Sequence, residues 1–240
     1  MLGVKHAYCL CLDKRKEHWE DLKEQCESKG IKFHPFIVGD GNIFDKDQYN
    51  RINTETPEWV AWRYGGHKTD SAERVAEKIN HHYNAFRSHQ KMAKLALQQG
   101  HEKVLFLEDD AYFTERFDEI ADKIQDKEET ILDLKYDMLY LGWWIGDEGD
   151  EFNETIERIW QEEKSIAIGK AMRIGGLHGV IINKKILDLI TRLDPINPID
   201  SQLSRFFHDK IKSHFVAPKI IHDKGIFSEC EQSTVTRTKL

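Results

Sequence analysis

In the stretch VLFLEDDAYF, the apolar residues Val104 to Leu107 run directly into the carboxylates Glu108, Asp109 and Asp110, after which aromatic and apolar residues resume. A short run that is apolar at every position reads as a buried strand. This strand therefore has to end where its chain emerges from a core and gathers negative charge. Similar runs recur along the sequence, separated by segments of helical periodicity.

"HAYCLCL" (His6 to Leu12) reads as a first strand, followed by Trp19, Leu22 and Cys26 at helical spacing, with Gly30 at a C-cap position. "IKFHPFIV" (Ile31 to Val38) reads as a second strand and "GDGN" (Gly39 to Asn42) as a sharp turn, which completes a βαβ unit. Residues 43 to 72 are polar, aromatic and weakly periodic, so they read as a long functional loop with "YGGHKTDS" (Tyr64 to Ser71) as its most flexible part. From Ala72 to Gln99 the apolar spacing predicts one long helix or two short ones, ended by Gly100.

After the Glu102 to Glu108 strand, Thr114 opens a helix carrying Phe117, Ile120, Ala121 and Ile124 on one face. "KYDMLYLGWW" (Lys135 to Trp144) reads as a strand with acidic, exposed sequence after it up to Glu163, and "LHGVIIN" (Leu177 to Asn183) reads as another strand. Asn183 caps a helix bearing Ile186, Leu187, Ile190 and Leu193, "NPIDSQLSRFFHDKI" is a turn and helix, and "HFVAPKIIH" is a last extended segment before a polar tail. Strands alternating with helices predict an α/β fold with a mainly parallel sheet.

The 240 residues fit one large domain or two small ones, and 40% hydrophobic with 32% charged residues is an ordinary globular composition. A net charge of -7, with both signs interspersed, argues against nucleic acid as a partner, because broad phosphate recognition needs a basic face. Cys9, Cys11, Cys26 and Cys230 form no CxxC pair, and neighbours on one strand are poorly placed to bridge; they are expected as small reduced core residues. The apolar start ends too early, at Asp13, for a secretory signal, and no run reaches the roughly 20 residues of a membrane span. The expectation is a soluble, cytoplasmic protein.

In an open α/β sheet, ligands bind beyond the carboxyl ends of the strands, where Asp13, Asp40 and the 108–110 cluster are expected. Converging carboxylates repel unless a cation or donors offset them. Hard divalent ions such as Mn²⁺ or Mg²⁺ take oxygen ligands and leave positions open for phosphate. The alternative is that one aspartate caps a turn and Glu108 is solvated.

"SHQKMAKLALQQGHEKVLFLEDDAYF" (Ser88 to Phe113) resembles the signature of glycosyltransferase family 25, the lipooligosaccharide and procollagen galactosyltransferase family: a Ser-His helix leading to a strand that ends Glu-Asp-Asp. "LCLDKRKEHW", "FHPFIVGDG", "DMLYLG", "GLHGVIINKK" and "PID" (Pro198 to Asp200) match further family segments in the same order. The chain departs from the pattern at Cys11, where the family has Asn, at Lys14, where it has Arg, and in the segment from Ile43 to Asp70. The resemblance implies a single GT-A domain, with a nucleotide-sugar half over about residues 1–142 and an acceptor half over about 143–240. It also implies a UDP-sugar donor, Mn²⁺ or Mg²⁺ as cofactor, and a hydroxyl-bearing acceptor such as a saccharide, lipooligosaccharide or hydroxylysine.

Under that resemblance Asp110, Glu108 and His222 are the candidate metal ligands, with Glu108 alternatively bonded to the sugar. Arg15, Asp13 and Asp40 would meet phosphate, ribose or base, and Ser88, His89 and His178 would line the donor. Asp200 would accept the acceptor's proton in one inverting displacement. Glu108 and Asp110, two apart on an extended segment, point the same way and Asp109 points elsewhere. Trp143 and Trp144 either stack on a sugar or fill the core. The reading is a hexosyltransferase, foremost a galactosyltransferase. A non-catalytic binding or adhesion relative and a metal-dependent phosphohydrolase are its rivals.

Overall fold

Strand β1 (His6–Leu12) runs through a 3₁₀ turn (Asp13–Arg15) into helix α1 (Lys16–Ser28), and β2 (Lys32–Val38) returns parallel to β1, so the βαβ unit is present. The computed structural model describes residues 2–39, 72–128, 136–145, 158–162, 166–171, 174–195, 197–207, 210–225, 227–228 and 233–234. Asp40, most of the long polar segment after it, most of the acidic stretch before Glu163 and the end of the tail lie outside the described residues.

Ala72–Gln98 is one continuous helix, α2, and leads to β3 (Lys103–Glu108), a turn at Asp109–Asp110, β4 (Ala111–Phe113) and helix α3 (Phe117–Glu128). Then come β5 (Met138–Tyr140), β6 (Trp144–Ile145), the antiparallel pair β7 (Arg158–Glu162) and β8 (Ile166–Lys170), β9 (Ile174–Gly175) and β10 (Val180–Asn183). Helix α4 (Lys184–Ile190) follows, capped by Asn183, whose side chain accepts the Ile186 N–H as expected. A short helix α5 (Ile199–Ser201) runs into a π-helical segment (Gln202–Phe206), and β11 (Ser213–Ala217) and β12 (Ile221–Asp223) precede the small hairpin β13 (Phe227–Ser228) and β14 (Ser233–Thr234).

The main sheet has the order β2-β1-β3-β10-β5-β11-β8-β7. Strands β2, β1, β3, β5, β11 and β7 run one way, and β10 and β8 run against them. The α/β class and a sheet mostly of one strand direction, flanked by helices, are therefore as the sequence predicts.

The core explains why β3 is apolar at every position. Leu105 and Leu107 face one layer, with Leu22 and Cys26 of α1 and Ile120 and Ile124 of α3. Val104 and Phe106 face the other, with Phe86, Met92 and Ala96 of α2 and Ile186 and Ile190 of α4. Side chains alternate across a strand, so a central strand with helices on both faces needs no polar position. An isolated helix of α3's length is marginal in water, and burying Phe117, Ile120 and Ile124 contributes roughly 1.5–3 kcal/mol per side chain. Cys9, Cys11 and Cys26 are buried and free, as expected of reduced core residues.

Two expectations need correction. The stretch Lys135 to Trp144 is not one strand: the Leu141 and Gly142 N–H groups both donate to Gly179 O, and the chain leaves the main sheet so that β6 pairs with β9. Leu177 to Gly179 precede β10 as a turn, because Gly176 at φ +94° redirects the backbone there. Strand β7 lies within the acidic stretch, where the sequence predicts no element.

Candidate active site

Strand β3 delivers Glu108 to the carboxyl edge of the sheet beside Leu10 of β1. The two aspartates that follow diverge. Asp109 is 4% exposed, and its carboxylate accepts the Leu12 N–H at 2.9 Å and Arg15 Nη1 at 3.2 Å. Burial pushes its pKa up, against the pull of Leu12 and Arg15. Asp109 is thus turned toward the exit of β1, and Arg15 is tied to it.

Asp110 ends the turn before β4, which pairs antiparallel with β12 so that His222 lies across from Tyr112 and Asp223 across from Ala111. The Asp110 carbonyl accepts the Lys224 N–H at 2.8 Å. A histidine 112 positions later in the chain is thereby brought to the strand beside Asp110, its ring 5.7 Å from that of Tyr112. The ligand atoms of Glu108, Asp110 and His222 do not all come within 4.8 Å of one another.

His89 sits on α2 beneath this edge at 2% exposure. Its Nδ1 is 2.8 Å from the Ala85 carbonyl, which can only accept, so Nδ1 carries the proton and Nε2 the lone pair. Burial holds its pKa below the ordinary histidine range, with Ala85 and the Asp200 charge opposing in part. Nε2 makes no hydrogen bond within the protein and faces Glu108 Oε1 at 3.8 Å. A neutral imidazole lone pair opposite a carboxylate is an arrangement of two acceptors.

Asp200 enters from the first turn of α5. Its Oδ2 accepts the Gly176 N–H at 3.1 Å and its Oδ1 the Ser201 N–H at 2.7 Å. Besides acting on His89, its charge adds to burial in raising the pKa of Tyr140, a buried residue at the end of β5. The turn at Gly175 and Gly176 makes this convergence possible. A Cβ on Gly176 would stand 2.7 Å from Trp144 Cδ1 and 2.8 Å from His178 Nδ1, and one on Gly175 would stand 3.1 Å from Asp200 Oδ2.

Among the remaining predicted residues, His178 is 1% exposed with its ring against Gly142 and Gly176. Ser88 is half-buried on α2 next to His89, and Asp13 is exposed in the turn after β1. Trp143 belongs to the core: its Nε1 donates to Val216 O at 2.8 Å and its ring packs edge-on to Phe215, while Trp144 covers the two glycines. Sequence reasoning passed over Tyr140, Gly175 and Gly176. Only the double glycine was a visible signal.

No family model matches the chain, and no curated protein matches it. Among solved structures it is similar to a glycosyltransferase involved in the glycosylation of the major capsid of PBCV-1, at 12% identity and TM-score 0.47, covering 96% of this chain and 97% of that one. It is also similar to A197 from STIV at 13% identity and TM-score 0.41, covering 88% and 81% of the two chains. A third similar structure is the inositol-1-phosphate CTP transferase from T. maritima, at 11% identity and TM-score 0.34, covering 92% and 70%.

Proposed function

We propose that this chain is a metal-dependent glycosyltransferase of the GT-A type, which moves a hexose, foremost galactose from UDP-galactose, to a hydroxyl acceptor with inversion. The observation that carries the reading is the neutral His89 Nε2 facing Glu108 across 3.8 Å, with Asp200 in electrostatic reach of the same histidine. Sugar hydroxyls are donors and acceptors at once, so one can donate to the His89 lone pair or to the Glu108 carboxylate. The resemblance of the Ser88 to Phe113 segment to family 25 supports the same assignment.

In this reading Asp200 accepts the proton of the acceptor hydroxyl as its oxygen attacks the anomeric carbon, and the bond from that carbon to the diphosphate breaks. Both Asp200 oxygens accept a backbone N–H yet retain lone-pair capacity, so the carboxylate is oriented without being used up. His89 holds a sugar hydroxyl, and Glu108 either does the same or ligates the metal. Trp144, lying over the glycine turn, offers a ring face to the acceptor half.

Glu108 and Asp110 provide the oxygen donors that Mn²⁺ or Mg²⁺ prefer, with His222 on the adjacent strand, so the donor set fits such an ion in kind. The bound ion would supply positive charge to the departing diphosphate. The acceptor is a saccharide, a lipooligosaccharide or a hydroxylysine side chain.

Two measurements test the proposal. The first is UDP release across a panel of nucleotide sugars with simple sugars and hydroxylysine as acceptors. The second is thermal unfolding with UDP and Mn²⁺ together and apart, since a ligand of the folded state raises stability. UDP-galactose should give the fastest release, and UDP with Mn²⁺ should stabilise more than either alone. Asp110→Asn should abolish that synergy. A protein with no turnover and no metal-dependent response to UDP is a binding module, and the proposal fails.

A further inference from the structure

His6, His34 and His101 lie 28 and 67 positions apart in the sequence, yet one nitrogen from each ring falls within 4.8 Å of the others. Among the described residues they are the one group of three or more His, Cys, Asp or Glu side chains this tightly drawn. We propose that these three histidines form a site for a divalent transition-metal ion, Zn²⁺ foremost, at the amino-terminal edge of the sheet. That edge is opposite the carboxylates of the candidate active site, and the proposal does not depend on the transferase reading.

The fold brings the rings together by two regular devices. His34 lies beside Tyr8 in the parallel β1–β2 register, and Tyr8 is two residues from His6, so all three side chains share one face of the sheet. His101 arrives from the C-terminus of α2, where the Gly100 N–H bonds Leu97 O and the His101 N–H bonds Ala96 O. This is a Schellman turn, and it places Gly100 at φ +75°, a conformation glycine adopts without a Cβ penalty. His101 thereby stacks on His6 with ring centroids 3.6 Å apart, two residues before β3 starts.

The donor chemistry suits the ion. His6 Nδ1 and His34 Nε2 are 3.0 Å apart and share a single proton between two nitrogens. Zn–N bonds of about 2.0–2.1 Å in a tetrahedral site place nitrogens about 3.3 Å apart, close to this separation, so the ion can replace that proton once the rings, His101 stacked on His6 included, turn their lone pairs toward a common point. Tyr8 donates its hydroxyl proton to Gln99 Oε1 at 2.8 Å and lies 3.0 Å from His101 Nδ1. The His101 Nδ1 must then donate to the phenol oxygen, which leaves the lone pair on Nε2 and fixes the ring as an outer-shell partner does in metal sites.

Metal binding takes the deprotonated imidazole, so the affinity should weaken as pH falls. All three rings are partly exposed, which leaves a path from solvent. Lys32 places positive charge near each ring, so the affinity should fall below that of a closed four-ligand site. Imidazole ligands select Zn²⁺, Co²⁺, Ni²⁺ or Cu²⁺ over the oxygen-seeking Mg²⁺ and Mn²⁺. Bound there, the ion would fasten β1, β2 and the turn entering β3 to one another.

The test is titration of the metal-free full chain, carrying no polyhistidine tag, with Co²⁺, reading its visible ligand-field bands, followed by displacement with Zn²⁺. One equivalent of nitrogen-ligated Co²⁺ is expected. His34→Gln and His101→Gln should each weaken it by more than the roughly 10- to 100-fold typical of losing an outer-shell partner. Asp110→Asn should leave it unchanged.

Histidine modification on the unaltered protein, mapped by mass spectrometry with and without Zn²⁺, keeps the test independent of how the variants fold. Selective protection of His6, His34 and His101 supports the site. Absence of Co²⁺ bands, their survival in both glutamine variants, or protection confined to other histidines would overturn it.

Discussion

Asp109 grips Arg15 at 3.2 Å through one oxygen and the Leu12 N–H at 2.9 Å through the other, joining the exits of β1 and β3 at the edge where the candidate site is built. The middle carboxylate of the acidic triplet is thus a fastener. Removing one partner of a buried ion pair strands the other, at a cost of about 3–5 kcal/mol when burial is complete. The Arg15 side chain is 16% exposed, so Asp109→Ala is expected to destabilise by about 2–4 kcal/mol. Asp109→Asn keeps an acceptor for Leu12 and should lose about half as much. Urea unfolding measures both, and a loss below about 1 kcal/mol for alanine would show that the pair is not a fastener.

Gly176 stands at φ +94° with Trp144 where a methyl group would go. Gly176→Ala carries about 1–2 kcal/mol of backbone strain and also displaces the Trp144 ring. In a chain of this size the unfolding temperature should fall by roughly 3–8 °C, read by calorimetry. The same variant shifts the N–H that anchors Asp200, so UDP release should fall with it.

Asp200→Asn keeps the size of the side chain but removes the base and one of its two acceptors for backbone N–H. General-base loss typically costs about 10²–10⁴ in rate, so UDP release with a saturating acceptor should drop in that range while the unfolding temperature stays within a few degrees. Wild-type turnover in this variant would take Asp200 out of the proton-accepting role.

His89 lies beside Phe106, with ring centroids 6.1 Å apart, in a fully packed layer. His89→Phe keeps that volume aromatic and should change stability by less than about 1.5 kcal/mol. It removes the lone pair facing Glu108, so KM for the donor sugar should rise more than kcat falls. An unchanged KM would show that nothing binds between the two groups.

His214, 7% exposed on β11, has its pKa lowered to about 4 by burial first and by Lys170 and Lys212 next. A histidine depressed in the folded state is protonated earlier in the unfolded chain, whose ordinary value is 6.5. Unfolding therefore takes up a proton between these values. The contribution is in full force above pH 6.5 and is lost as pH falls toward 4, by on the order of 3 kcal/mol. Urea midpoints at pH 7.5 and 4.5 should show this loss, and His214→Leu should reduce it. An equal acid sensitivity in the variant would remove His214 as its source.

The elements that were legible in the sequence were those whose signal is local. Val104 to Leu107 announce a strand covered on both faces because every position is apolar, and Asn183 announces a helix start because its side chain can accept from a residue three places on. The three carboxylates at 108–110 mark a charged strand end, but the expected extended segment through them is a turn at Asp109–Asp110, so strand alternation does not set their directions. These patterns follow from the periods of strand and helix, which any linear text displays.

Partnership across the sheet was not legible. Arg15 meets Asp109, β12 lays His222 beside β4, and Gly176 holds Asp200, each through register and loop closure that join distant positions. The break after Tyr140 was hidden for the same reason, since Gly179 O captures two N–H groups from a run that reads as continuous strand. His6, His34 and His101 carry no shared motif; they meet because parallel strands begin at one edge and a Schellman turn delivers the third ring. Local composition selects the elements, whereas mutual burial selects which of them touch, and the chemistry of this protein resides in those contacts.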